Sequence, residues 1–311
     1  MMKNGILPVD KPAGWTSFDV LAKLRHTLGT RKLGHSGTLD PMATGVLAVF
    51  IGAATAAADR QPDHDKTYEA TLRFGLRTDT GDVTGAVLEQ AGALPDAAAL
   101  REALQAALPR FLGEQQQLPP MYSAVKVNGQ PLYKAARAGK TVARTPRTVT
   151  IRELTLLDGA AAPGELTLRV ACSKGTYIRT LAEDLGAALG LPATLAALRR
   201  TQAGVFTLAD CHTLPEILAA GENDPARLAD WILPTERVFA PLPALAVGET
   251  VKAHLLNGCP TSQYPAADGR YRVYGEDGQF LGLAQITDGV LQVEKLFCER
   301  TARTECAHGT P

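Results

Sequence analysis

The segment that most constrains this chain is Gly34-His35-Ser36-Gly37-Thr38-Leu39-Asp40-Pro41-Met42-Ala43-Thr44-Gly45, where three glycines and one proline fall within twelve residues. Glycine admits backbone turns and close approaches that a Cβ would forbid. Pro41 drives Asp40 out of the α region towards extended or bridge geometry. A continuous apolar run follows, Val46-Leu47-Ala48-Val49-Phe50-Ile51, the pattern of a strand buried on both faces. The acid is therefore expected in a stiff loop at the mouth of a core strand. Two readings of Asp40 fit that place. It can cap a helix begun by Pro41, although Gly45 leaves room for barely one turn, or it can present a carboxylate for chemistry. The local pattern leaves both open.

Further along, Ile6–Val9 reads as a short strand. A helix capped by Thr16 or Ser17 should follow, with Val20, Leu21, Leu24 and Leu28 on one face and Gly29 as its stop. Residues 68–74 alternate apolar and polar side chains as a half-buried strand does. Asp96 precedes an amphipathic helix through Leu100, Leu104 and Leu108. Residues 148–157 and 165–172 predict two strands, and residues 173–190 a helix with Ile178, Leu181, Leu185 and Leu189 inward. A second helix is expected over about 192–200, ending in Arg199-Arg200. Strands outnumber helices without βαβ alternation, which points to an α+β fold with a mixed or antiparallel sheet and flanking helices.

With 311 residues the chain is long enough for a large domain and a small one. Residues 1–236 are expected to form the first and 240–298 the second, with 299–311 a disordered tail. Short apolar runs at 255–258, 269–274, 280–286 and 290–296, divided by Gly and Asp-Gly turns, predict a small β-barrel. Lys and Arg balance Asp and Glu at 32 each, giving no net charge. The distribution is uneven. From Gln115 to Arg152 there are seven basic residues, Lys126, Lys134, Arg137, Lys140, Arg144, Arg147 and Arg152, and no acid. Pro119-Pro120, Asn128-Gly129 and Pro146 mark much of this stretch, about 115–147, as an insertion loop with a little helix of its own. Its charge is the footprint of an element that meets phosphates. Five scattered cysteines without a C-x-x-C pair point to reduced thiols in a cytoplasm and to no metal site. No apolar run approaches membrane-spanning length.

The Gly34–Gly45 stretch with Val46-Leu47 resembles the signature of the TruB family of tRNA pseudouridine synthases. Further blocks match in order: Lys11-Pro12-Ala13-Gly14, Lys66-Thr67-Tyr68-Glu69-Ala70, Arg77-Thr78-Asp79-Thr80-Gly81-Asp82, Pro120-Met121-Tyr122-Ser123-Ala124-Val125-Lys126, Cys172-Ser173-Lys174-Gly175-Thr176-Tyr177-Ile178-Arg179 and Leu198-Arg199-Arg200. The resemblance implies a pseudouridine-synthase-like sheet, an RNA-binding insertion loop and a C-terminal PUA-like RNA-binding module. It implies isomerisation of uridine at position 55 in the T-loop of tRNA, by a monomer that needs no cofactor and no guide RNA. It assigns catalysis to Asp40, with Arg179 as its partner and Tyr68 at the base, and places Tyr177 there as well, where rings can stack on an extruded uracil. Lys11 and Asp82 resemble residues that support the pocket, Leu198 its apolar wall, and His35 a residue that fills the vacated space in the RNA loop. Lys126, Lys134, Arg137, Lys140 and Arg144 are the phosphate contacts expected from the charge pattern. A guide-RNA-dependent ribosomal RNA synthase and a tRNA-folding chaperone are the alternatives.

Overall fold

A computed structural model describes residues 4–127, 129–159 and 162–298. The expected tail 299–311 and Asn128 of the Asn128-Gly129 turn lie outside the described residues. The centre of the molecule is a ten-stranded mixed sheet. Its main path runs His212–Thr213, Gly5–Lys11, Thr44–Ile51, Ala193–Ala203, Lys66–Phe74, Glu165–Cys172, Arg147–Leu156 and Gly113–Gln117. Pairing is antiparallel except where Gly5–Lys11 meets His212–Thr213 and where Ala193–Ala203 meets Thr44–Ile51.

The apolar run after Gly45 is such a two-faced strand. Leu47, Val49 and Ile51 point into a cluster with Val20, Leu21 and Leu24 of the helix Ser17–Thr27. Val46, Ala48 and Phe50 point into another, with Val238, Phe239 and Leu283. A third cluster seats the helices Ala97–Ala107 and Ile178–Ala188 against the strands Lys66–Phe74 and Glu165–Cys172. Asp96 caps the first of these helices through the Ala99 amide.

The segment expected as a helix over 192–200 is instead the central strand Ala193–Ala203. Register shifts between Leu195 and Ala197 and between Arg200 and Gln202 interrupt its ladder with Lys66–Phe74. Each β-bulge inserts a residue and breaks the two-residue alternation, so Leu195 and Leu198 both face the core at a spacing that mimics a helix. The expected strand at 255–258 is likewise the end of a helix, Glu249–Asn257, closed by left-handed Gly258. The C-terminal strands form an open four-stranded sheet, Ala244–Val247, Gly269–Gly275, Phe280–Thr287 and Val290–Leu296, and not the closed barrel expected. Cys172 and Cys211 are free thiols. Among the described residues no helix is long and apolar enough to cross a membrane.

Gly45 shows why the signature demands glycine. Its φ is +100°, and a Cβ there would lie 2.2 Å from the Arg200 carbonyl oxygen. Backbone strain and overpacking then coincide, so Gly45→Ala is expected to cost about 2–5 kcal/mol, read as a lower midpoint in denaturant unfolding.

Candidate active site

Asp40 caps no helix. The chain turns over Asp40–Ala43, with the Ala43 amide on the Asp40 carbonyl at 3.1 Å, and enters the strand Thr44–Ile51. The side chain faces a cleft of about 720 Å³. There Arg179, from the first turn of the helix Ile178–Ala188, meets it side-on. Nε lies 2.9 Å from one carboxylate oxygen and Nη2 3.2 Å from the other. The remaining guanidinium donors reach the Thr80 and Tyr122 carbonyls, each at 2.7 Å. The arginine side chain is 5% exposed and the aspartate 33%, so the pair is buried from behind and open to the cleft. Burial pushes the Asp40 pKa up and the Asp82 charge adds to this, while Arg179 pulls it down; the net direction is upward.

Other expected site residues divide into those that line the cleft and those that build its walls. Tyr68, Tyr177, His35, Leu198, Asp82 and Arg137 line it with Asp40 and Arg179. Burial raises the Tyr68 pKa, which keeps the phenol protonated at neutral pH. Burial and the nearby Arg200 lower that of His35, leaving a neutral imidazole whose Nδ1 accepts from the Gly37 amide at 3.3 Å. Asp82 is buried and accepts from the Thr80 hydroxyl and from both amide and hydroxyl of Thr84. That ties down the turn whose Thr80 carbonyl holds Arg179. Lys11 does not line the cleft. It lies fully buried behind the loop and donates to the carbonyls of Pro12, Trp15 and Pro41, with its pKa lowered to about 8 by burial.

The basic insertion has a short hairpin, Lys126–Val127 with Gln130–Pro131, and the helix Leu132–Arg137. Lys126, Lys134, Arg137 and Lys140 are exposed. Arg144 is half-buried and donates to the Pro119 carbonyl at 2.9 Å, so part of its donor capacity ties the segment to itself.

Two residues without an expected role prove structural to the site. Arg200 is almost wholly buried and donates to the carbonyls of Gly37, Thr38 and Val46 at 3.0, 3.5 and 2.7 Å. Gln117 holds the Tyr177 backbone at both ends, accepting from its amide at 2.8 Å and donating to its carbonyl at 3.1 Å. Its place in the block Leu198-Arg199-Arg200 was the only sequence signal for the first. Nothing marked the second within Gln115-Gln116-Gln117. Lys66 and Lys174 also line the cleft, so with Arg200 one wall is cationic. Burial lowers the Lys66 pKa to about 8.

Residues 25–178 match the family model described as TruB family pseudouridylate synthase (N terminal domain). Residues 179–240 match the tRNA pseudouridylate synthase B C-terminal domain, and 243–297 match pseudouridine synthase II TruB, C-terminal. Among curated relatives, tRNA pseudouridine synthase B of Ralstonia nicotianae is 46% identical over 94% of this chain and 94% of its own. That of Cupriavidus metallidurans is 44% identical with the same coverage of both chains, and that of Burkholderia mallei is 45% identical over 94% of this chain and 96% of its own. Among solved structures, a chain of a Cbf5–Nop10–Gar1 complex superposes with a TM-score of 0.70 at 25% identity, covering 95% of this chain and 85% of that one. An H/ACA RNP bound to a substrate RNA containing 2′-deoxyuridine gives 0.70 at 23%, over 95% of this chain and 86% of that one, a likeness of fold alone. The ordered sequence blocks, the shared fold and identity near 45% across almost the whole length lead to one assignment: this chain belongs to the TruB family of pseudouridylate synthases.

Proposed function

We propose that this enzyme isomerises uridine to pseudouridine at position 55, in the T-loop of tRNA, with Asp40 acting on the ribose of a nucleotide turned out of its stack. The observation that carries the reading is the Asp40 carboxylate, held by a buried arginine at 2.9 Å and open to a cleft large enough for a nucleotide. The reaction breaks N1–C1′, turns the uracil, joins C5 to C1′ and releases the C5 proton. It is redox-neutral and consumes no second substrate. A carboxylate serves it by meeting the electron-poor C1′ or by taking a proton from the sugar. Arg179 aims that carboxylate and favours its ionised form. Tyr68 and Tyr177 supply rings against which an extruded base can rest. Tyr68 stays protonated, which suits it to stacking and hydrogen-bond donation and not to removing the C5 proton.

The exposed cations of the insertion would meet the phosphates of the folded RNA, and Lys174, exposed at the cleft, those nearest the target. Identities of 44–46% with proteins named tRNA pseudouridine synthase B support tRNA as the substrate over ribosomal RNA selected by a guide. Acting as a chaperone alone would leave the paired and aimed carboxylate without a purpose.

Four outcomes test this reading. Unmodified tRNA incubated with the purified chain alone should acquire pseudouridine at position 55. Asp40→Asn, which retains the shape of the side chain, should lower the single-turnover rate by about 10³-fold or more. Its tRNA affinity and thermal midpoint should stay near those of the parent; a near-normal rate would remove Asp40 from the chemistry. Because the reactive form is the carboxylate and burial raises its pKa above the ordinary 3.8, the rate should depend on pH. It should fall with acidification through an apparent pKa above that ordinary value, and a limb at or below 3.8 would contradict the assignment. Finally, replacing Lys126, Lys134, Arg137 and Lys140 with Gln should weaken tRNA binding and flatten its dependence on salt by about 0.7–0.9 in log–log slope per lost phosphate contact, measured by titration at several ionic strengths.

A further inference from the structure

Phe18 is the most exposed large apolar side chain among the described residues, at 68%, and it lines the same cleft as Asp40. Its backbone is nonetheless among the best-anchored parts of the site. Phe18 lies in the first turn of the helix Ser17–Thr27, whose start is fixed by a reciprocal capping box between Thr16 and Asp19. The preceding Ser17 hydroxyl accepts from the Leu39 amide at 2.9 Å and donates to the Leu39 carbonyl at 3.2 Å. That clamp joins the helix start to the residue next to Asp40. The Phe18 ring and the His35 imidazole meet edge-to-face, with centroids 5.9 Å apart and planes at 76°, while most of the Phe18 surface stays open.

An aromatic ring held still and left uncovered at the rim of a reaction cleft loses little side-chain freedom when something covers it. The occupant must suit both an apolar ring and the cations nearby, Lys66, Lys174, Arg200 and Arg137, which line the same cleft. A nucleic-acid strand offers that combination, a flat base beside a phosphate. We propose that Phe18 is a stacking platform for an unpaired base of the substrate RNA that neighbours the target uridine, the target itself going deeper, to Asp40 and Tyr68. The inference rests on the functional reading above and adds a second base-binding position to it.

The test uses the full-length protein and unmodified tRNA, with Phe18→Ala, Phe18→Trp and, as a control, Leu88→Ala, an exposed apolar residue that does not line the cleft. Phe18→Ala should raise the tRNA dissociation constant about tenfold, the scale of one lost base stack. The loss should fall on binding rather than on the single-turnover rate at saturating tRNA, and the thermal midpoint should not move. Phe18→Trp should restore affinity and Leu88→Ala should leave it intact. A set of transcripts, each with one unpaired T-loop nucleotide other than the target made abasic, locates the partner. At one position the abasic change should weaken the parent about as much as Phe18→Ala does and should cost the Ala variant nothing further. Unchanged affinity in Phe18→Ala, an equal loss in Leu88→Ala, or additive losses at every abasic position would overturn the inference while leaving the enzyme's activity intact. If the parent forms no pseudouridine in tRNA, the functional reading fails and this inference fails with it.

Discussion

The site depends on how one buried guanidinium divides its donors. Arg179 pairs with the Asp40 carboxylate through Nε and Nη2 and donates to the Thr80 and Tyr122 carbonyls. Loops distant in sequence are thereby fixed relative to a single helix turn. Desolvating an ion pair offsets much of its Coulomb attraction, so such a pair says little about net stability, whereas removing one partner leaves an uncompensated charge at a cost of about 3–5 kcal/mol. What the arrangement secures is geometry. Asp82 belongs to the same device at one remove, because it holds the turn that presents the Thr80 carbonyl.

The backbone of the Asp40 loop is gripped by other buried groups. Arg200 collects carbonyls on one side of Asp40 and at the strand beyond it. Lys11 takes the Pro41 carbonyl, which the Gly14 amide also reaches, and Ser17 clamps Leu39. Carbonyls that no regular element could pair are satisfied, and the buried cations gain the partners that burial requires. Gly45 lets the strand carrying Arg200 come close enough to make the grip. The loop is rigid because its hydrogen bonds are made in the free protein, which limits the reorganisation left for the moment of reaction.

Much of this could be read from the chain. The helix capped by Thr16, the helix after Asp96, the strands around 148–157 and 165–172, and the apolar strand after Gly45 follow from local periodicity and capping chemistry, which act over a few residues. The segment 193–203 could not be read so, because two bulges give a strand the spacing of a helix, and bulges answer to the neighbouring strand. The same holds for Gln117 and Arg200. Their partners are backbone groups supplied by other segments, and no local pattern advertises a carbonyl that will need a donor.

By itself the sequence determined the class of fold, the stiffness of the Asp40 loop, the basic insertion and the identity of the family, since each is written in consecutive residues or in ordered blocks of them. Only the tertiary structure decided that Asp40 begins a turn and not a helix, that Lys11 stands behind the loop and not in the cleft, that Arg144 spends a donor on its own segment, and that the C-terminal sheet stays open. It also decided that Phe18, one apolar residue in an amphipathic helix by its sequence, stands uncovered at the cleft that Asp40 lines. These outcomes turn on which distant groups come within hydrogen-bonding or packing distance, and chain folding alone sets those distances.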